Sequence, residues 1–217
     1  VTMPNLHDYN LMDAKEKLAA EVATGMYDIS GEQLWVGLFT IEEYQAKLKN
    51  VIEGVDTYWL AEPLRVGVNQ KHSLYVQGGE GNFLFGLGAG YNGISGVMEK
   101  SSREVISGNI DLIYRMEKFQ FSNKFSMSST SLENPIVSFQ TYAEANPYYK
   151  KYSESGTIEK WLENNDFFKA ANPLWNDSQN SRDEGKSLSL SNYFIAEYFP
   201  TTEWRVRARV GITYGND

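Results

Sequence analysis

The sequence predicts an all-β fold: antiparallel up-and-down strands of a transmembrane β-barrel, about six in this chain, with short helices in extracellular loops. Three observations carry this expectation. The first is strict alternation in residues 204–214. Trp204, Val206, Ala208, Val210, Ile212 and Tyr214 share one face, and Arg205, Arg207, Arg209, Gly211 and Thr213 share the other. The apolar face has an aromatic at each end. Ten residues at about 3.3 Å each, tilted by about 40°, span about 25 Å, the height of the apolar band on an outer-membrane barrel. The second observation is that other segments repeat the pattern. Their polar faces hold Ser, Asn, Gly and paired charges, and their apolar faces end in Tyr or Phe. The third is that short and long connections alternate, as periplasmic turns and outer loops do.

Along the chain, the first third is helical in pattern. Leu11, Ala14, Leu18 and Val22 recur at helical spacing behind Asp13, predicting a helix over 11–23. Thr40 as N-cap, Glu43 three residues on and Gly54 as C-cap predict a second over 40–54. Both read as solvated helices packed by one face. After Val66 the period switches to two. Strands are predicted at 72–77, 83–91, 105–116, 119–127, 187–198 and 204–214. Residues 78–82, 117–118 and 200–203 form tight turns; 93–104 is longer, and 130–186 is very long. The expected division is a loop segment over 1–66, four strands over 67–129, a long outer loop over 130–186 and two strands over 187–217.

Composition excludes several classes. A net charge of −8 argues against nucleic acid, which requires a basic stripe. The chain has no cysteine, so it forms no disulfide framework and no thiolate metal site. No apolar run reaches transmembrane-helix length. A mean hydropathy of −0.45 is compatible with a barrel, because half of each barrel strand is polar. The chain starts at Val1 without a signal peptide, so either a signal has been removed or this is an internal piece.

Signals for catalysis are weak, and no enzyme, cofactor or metal is expected. His7 and His72 lie far apart, and no G-x-S-x-G elbow occurs. The glycine run 86–90 lies inside a strand, so a phosphate-loop reading fails; its small residues are expected to leave room for a packed plug. Asn176, Asp177, Asn180 and Asp183 have the oxygen chemistry for calcium, but not the spacing of an EF-hand loop. Two groups remain as candidate binding residues. Arg205, Arg207 and Arg209 form a lumen-side row that repels itself unless paired. Asp111, Glu197 or carboxylates of a plug are the expected partners, with direct contact to an anionic or hydroxyl-rich substrate as the sharper reading. In the long loop, Tyr148, Tyr149, Trp161 and Trp175, with Tyr142, Tyr152, Phe167 and Phe168, offer rings that stack on sugars or anchor a partner. The plainer reading is that they pack on each other and hold the loop folded.

The phrases YNLMDAKEKLAAE, TYWLAEPLRVGVNQKHSLYVQGG, FGLGAGYNGISGVM, EANPYYKKY, ANPLWNDSQNSRDEGK and YFIAEYFPTTEWRVRARVGITYGND run in order over about Tyr9 to Asp217. Together they resemble the SusC/RagA family of TonB-dependent outer-membrane transporters. The resemblance implies an outer-membrane location in a Gram-negative bacterium and uptake of oligosaccharides or peptides. It also implies a SusD-like surface lipoprotein as lid, energy from the TonB complex through a region upstream of Val1, and contact with outer-membrane lipid. Under it, this sequence begins in the loop after the first barrel strand and ends after the seventh. The alternatives are a soluble all-β glycan-binding module, with the apolar faces packed as a sandwich core, and a barrel acting as adhesin or passive channel.

Overall fold

The computed structural model describes residues 1–6, 9–27, 39–165, 168–179 and 181–216. His7, Phe167 and Asn180 lie outside them. The chain divides into two compact units. One comprises Val1–Met3, Val66–Asn134 and Asp183–Asp217; the other comprises Pro4–Arg65 and Pro135–Arg182.

The first unit is a single antiparallel sheet. Its strands are β1 (Asn69–Glu80), β2 (Phe83–Ser95), β3 (Ser102–Met116), β4 (Phe119–Asn134), β7 (Asp183–Tyr198) and β8 (Val206–Asn216), in the spatial order β1-β2-β3-β4-β7-β8. Each strand pairs with the next in sheet order, as expected for an up-and-down sheet. All six are displaced or longer than the alternation alone indicates. Gly78 and Gly79 belong to β1, and the turn after it is only Gly81–Asn82, with Gly81 at φ +58°. A positive φ at the first central position matches the right-handed twist of a two-residue hairpin, and glycine adopts it without steric cost. β8 begins two residues late. Trp204 therefore sits in the preceding turn, 70% exposed, and is not the terminal aromatic of the strand.

Register decides which faces combine. Phe83 lies opposite Tyr114, Tyr114 opposite Phe121, Phe121 opposite Ala196 and Ala196 opposite Ala208. The same parity holds throughout, so six separate apolar faces become one. At the end with the two-residue turns, Phe119 stacks on Tyr198 at 4.7 Å and on Phe121 at 6.2 Å between centroids. At the far end, Tyr91 stacks with His72 at 6.4 Å, and Tyr214 follows on β8. Two asparagines interrupt this face. Asn123 and Asn192 exchange amide hydrogen bonds at 3.1 and 3.0 Å, each satisfying the other.

Among the described residues, the face covers no core. Leu74, Val76, Ile106, Val206, Val210 and Ile212 are all at least half exposed. Every residue of the buried hydrophobic cluster, from Ala14 to Tyr149, belongs to the other unit. The sandwich alternative required the apolar faces to pack on each other. They lie side by side in one sheet instead.

The second unit joins the two long connections. It holds α1 (Ala14–Ala23), α2 (Ile41–Ile52), a 3-10 turn at Trp59–Ala61, α3 (Phe139–Glu144), the hairpin β5 (Trp161–Asn164) and β6 (Lys169–Ala171), and α4 (Pro173–Ser178). Asp13 with Glu16 and Thr40 with Glu43 form capping boxes at the starts of α1 and α2. Both helices end alike. Gly25 and Gly54 have φ of +75° and +85°, and the next amides, of Met26 and Val55, reach back to Glu21 and Asn50 carbonyls at 3.0 and 2.9 Å. A Cβ at Gly54 meets nothing within 4 Å, so only its backbone conformation is at stake. Gly54→Ala is expected to lower the stability of this unit by about 1–2 kcal/mol, measured by denaturant unfolding.

Candidate functional site

The polar face of the sheet is built in rows. Near the two-residue turns, Arg115 on β3 donates from Nε to Gln120 Oε1 at 2.9 Å, and Gln120 Nε2 donates to Glu197 Oε2 at 3.0 Å. Arg207 Nε donates to Glu197 Oε1 at 2.8 Å, and Arg205 approaches the same oxygen at 3.6 Å. This ladder buries Glu197 to 6% exposure. Charge-assisted bonds of this kind are the stronger class, which is how a carboxylate tolerates that burial. Asp111, the other expected partner of the arginines, faces Lys124 at 3.9 Å and accepts from Asn109 at 3.3 Å. Farther along, hydroxyls line up across the strands, with Ser126 and Ser191 in contact at 2.7 Å.

Arg209 differs from its neighbours. Its guanidinium lies over the Tyr193 ring, 4.2 Å from the centroid. That ring in turn covers Gly211, where an added Cβ would meet it at 2.5 Å. Gly86, Gly88 and Gly90 follow the same rule. The space above them is taken by Tyr75, Asn109 and Ser107 of neighbouring strands, not left open.

The second unit contains a buried polar cluster. Glu21 on α1 is 4% exposed. It accepts from Tyr27 at 2.7 Å and from Tyr148 at 3.1 Å, and Lys17 lies 3.4 Å away. Asn146 donates to the Tyr148 hydroxyl at 2.8 Å. Lys47 on α2, also 4% exposed, sits 3.0 Å from Glu163, off the hydrogen-bond axis, and 3.9 Å above the centre of the Phe39 ring. Tyr149 donates to the same Glu163. The backbone of 146–149 is held by Asn50, Thr57 and Trp59. Burial, and then the adjoining carboxylate Glu21, pushes the Tyr27 phenol far above its ordinary range. Burial is also the chief cause for Tyr148 and Tyr149, with Tyr149 and Glu163 the next contributors respectively. At the surface, the Lys150–Glu53 bond of 2.7 Å raises the lysine and lowers the carboxyl.

Among the loop residues singled out in the sequence, Tyr148 and Tyr149 are 1% and 6% exposed, with their hydroxyls engaged by carboxylates. They hold residues 146–149 against α1 and α2. Trp161 and Trp175 are half-buried at the surface. Lys160 and Lys169 flank the Trp161 ring at 5.2 and 5.8 Å. Glu21 and Lys47 escaped the sequence reading. The available signal was position: Glu21 follows Ala14 and Leu18 on one helical stripe, and Lys47 precedes Val51 by one turn. Among the described residues, no group of three potential metal-binding side chains occurs, and no helix is long and apolar enough to cross a membrane.

A six-stranded up-and-down sheet with one continuous apolar face and one polar face defines the class: antiparallel β with the geometry of part of a barrel wall. The chain is similar to the solved structure of the RagAB peptide transporter, with a TM-score of 0.67 and 13% sequence identity, over 94% of this chain. At that identity the likeness shows the fold. The chain spans about a quarter of the length of the transporter chain it matches, 25%. No protein-family model and no curated protein matches the sequence.

Proposed function

We propose that this chain is one arc of the wall and the outer loops of a TonB-dependent outer-membrane importer of the SusC/RagA kind, in a Gram-negative bacterium. The observation that carries the reading is the exposed apolar face, in register across six strands and backed by a polar ladder. Lipid covers such a face, and a wet passage suits the other. The long connections before β1 and between β4 and β7 belong to the outer side, and the short turns to the periplasmic side. The fold shared with a peptide transporter favours an oligomeric nutrient, peptide or glycan, as cargo. Trp161 and Trp175, with the more exposed Tyr152 and Phe168, are loop aromatics available to that cargo or to a SusD-like lipoprotein lid, while Tyr148 and Tyr149 keep the loop unit folded. Arg205, Arg207 and Arg209 face cargo or plug. The TonB complex acts through a segment preceding these strands.

The function so proposed makes and breaks no covalent bond. Its steps are capture at the outer loops, displacement of a plug and passage along a polar wall. The test uses the full-length protein in its membrane and exploits the absence of cysteine from this chain. Cysteine placed at Ile212 is expected to react with a lipid-soluble maleimide only. Cysteine at Thr213, on the opposite face, is expected to react with a charged, water-soluble one. Equal reaction of both positions with the charged reagent would overturn the membrane-wall reading.

A further inference from the structure

Three arginines crowd the start of β8 and the residue before it, and the one carboxylate of Glu197 is shared by only two of them, Arg205 and Arg207. Glu197 accepts from Arg207 and Gln120 and faces Arg205, so both of its oxygens are engaged. Asp111, the next acid on that face, is engaged by Lys124 and Asn109. Among the described residues, no carboxylate lies within ion-pair distance of Arg209.

Yet Arg209 is held in place. Tyr193 lies beneath its guanidinium, and Gly211 beneath Tyr193 is the residue that lets the ring settle there. A guanidinium stacked on an aromatic face keeps its in-plane N–H edge free, and that edge matches a carboxylate bidentately. Stacking also removes part of the ordering cost that a flexible cation would meet on binding. The register partner of Arg209 is Ile195, which continues through Ser122 to Ile113 and Leu84, a row with no charge.

We propose that Arg209, positioned by Tyr193 over Gly211, is a carboxylate-binding site that receives its anion from outside this sheet. The carboxylate comes either from cargo passing the polar face or from another segment of the full-length protein. The site rests on sheet geometry alone. Only the source of its carboxylate rests on the proposed function, so the two fail separately.

The experiment uses the full-length protein as isolated from its cells. Phenylglyoxal modification of Arg209 is read by peptide mass spectrometry, with and without succinate, and with succinamide at matched ionic strength as control. In parallel, thermal unfolding of Arg209→Gln, which keeps a planar polar group over Tyr193, is compared with the parent and with Arg209→Lys. Slowing of modification by succinate and not by succinamide, several-fold or more, assigns an open site for a ligand carboxylate. Arg209 that resists reagent in the parent, together with a fall of several degrees in Tm for Arg209→Gln that Arg209→Lys largely restores, assigns a carboxylate of the protein itself. Ready modification unaffected by succinate, with unchanged Tm in Arg209→Gln, overturns the site. Failure of the cysteine-labelling test with either positive result here would leave the site standing and remove only the membrane.

Discussion

Raising the pH above about 10 is expected to unfold the helical unit cooperatively. Tyr27, Tyr148 and Tyr149 ionise near pH 10 in an unfolded chain, but burial and the carboxylates of Glu21 and Glu163 hold their protons far higher in the folded one. Above that pH the folded state binds more protons than the unfolded state, so stability falls as pH rises. Below it the effect is absent. Each phenol contributes a loss of about 1.4 kcal/mol per pH unit, and the three together exceed the stability of a typical unit within a few units of pH. The measurement is an alkaline titration that follows phenolate absorbance and near-ultraviolet circular dichroism together. The expected record has exposed tyrosines titrating smoothly, followed by one steep step shared by both signals. Independent titration of all 14 tyrosines, without loss of tertiary signal, would mean the cluster does not carry the unit. Tyr148→Phe should make the step shallower, since it removes one titrating group and leaves Glu21 with Tyr27 and Lys17.

The second large effect distinguishes lipid from water at the apolar face. Val210 lies midway along β8 and is 65% exposed. In water, an arginine at so open a position changes stability by less than about 0.5 kcal/mol. At the midplane of a bilayer the same change costs about 2–4 kcal/mol. Val210→Arg in the full-length protein, folded into vesicles, is expected to show the larger loss. Thr213→Arg, on the opposite face, should show little. Matching small effects at both positions would place both faces in water.

These two results probe different parts of the chain because the two units are held by different physics. The helical unit has a core with a buried carboxylate, a buried ammonium and the tyrosines around them. Removing one member of such a cluster strands the others without partners, which is where its sensitivity comes from. The sheet unit has backbone ladders, aromatic rings at its two ends and a polar row around Glu197. It keeps its large apolar face exposed, and a lipid or protein neighbour is what that face is built to meet.

The sequence by itself determined the elements that local rules govern. Alternation placed all six strands, since a period of two assigns each side chain to a face whatever the neighbour is. Asp13, Thr40 and Gly54 marked helix ends, because caps satisfy nearby backbone groups. The alternation also put the arginines on one face and named Glu197 as one of three candidate partners, with Asp111 and a plug; the register then set Glu197 beside Arg207 and Arg205. Tertiary structure decided the rest. Residues 4–65 and 135–182 form one unit because Ala14, Leu18, Val51 and Leu60 of the first segment share a core with Val137, Tyr142 and Tyr148 of the second, and the Tyr148–Glu21 and Lys47–Glu163 contacts cross between them. No periodicity reports a contact across that distance. Trp204 fell outside its strand because the turn before β8 takes up residues that alternation alone assigns to the ladder. Tyr148 and Tyr149 look like exposed recognition aromatics in a polar loop, and only the acceptors supplied by Glu21 and Glu163 make their burial favourable. The separate state of Arg209 came from the register, which set Tyr193 against Gly211 and left the third arginine over a ring, with no acid beside it among the described residues.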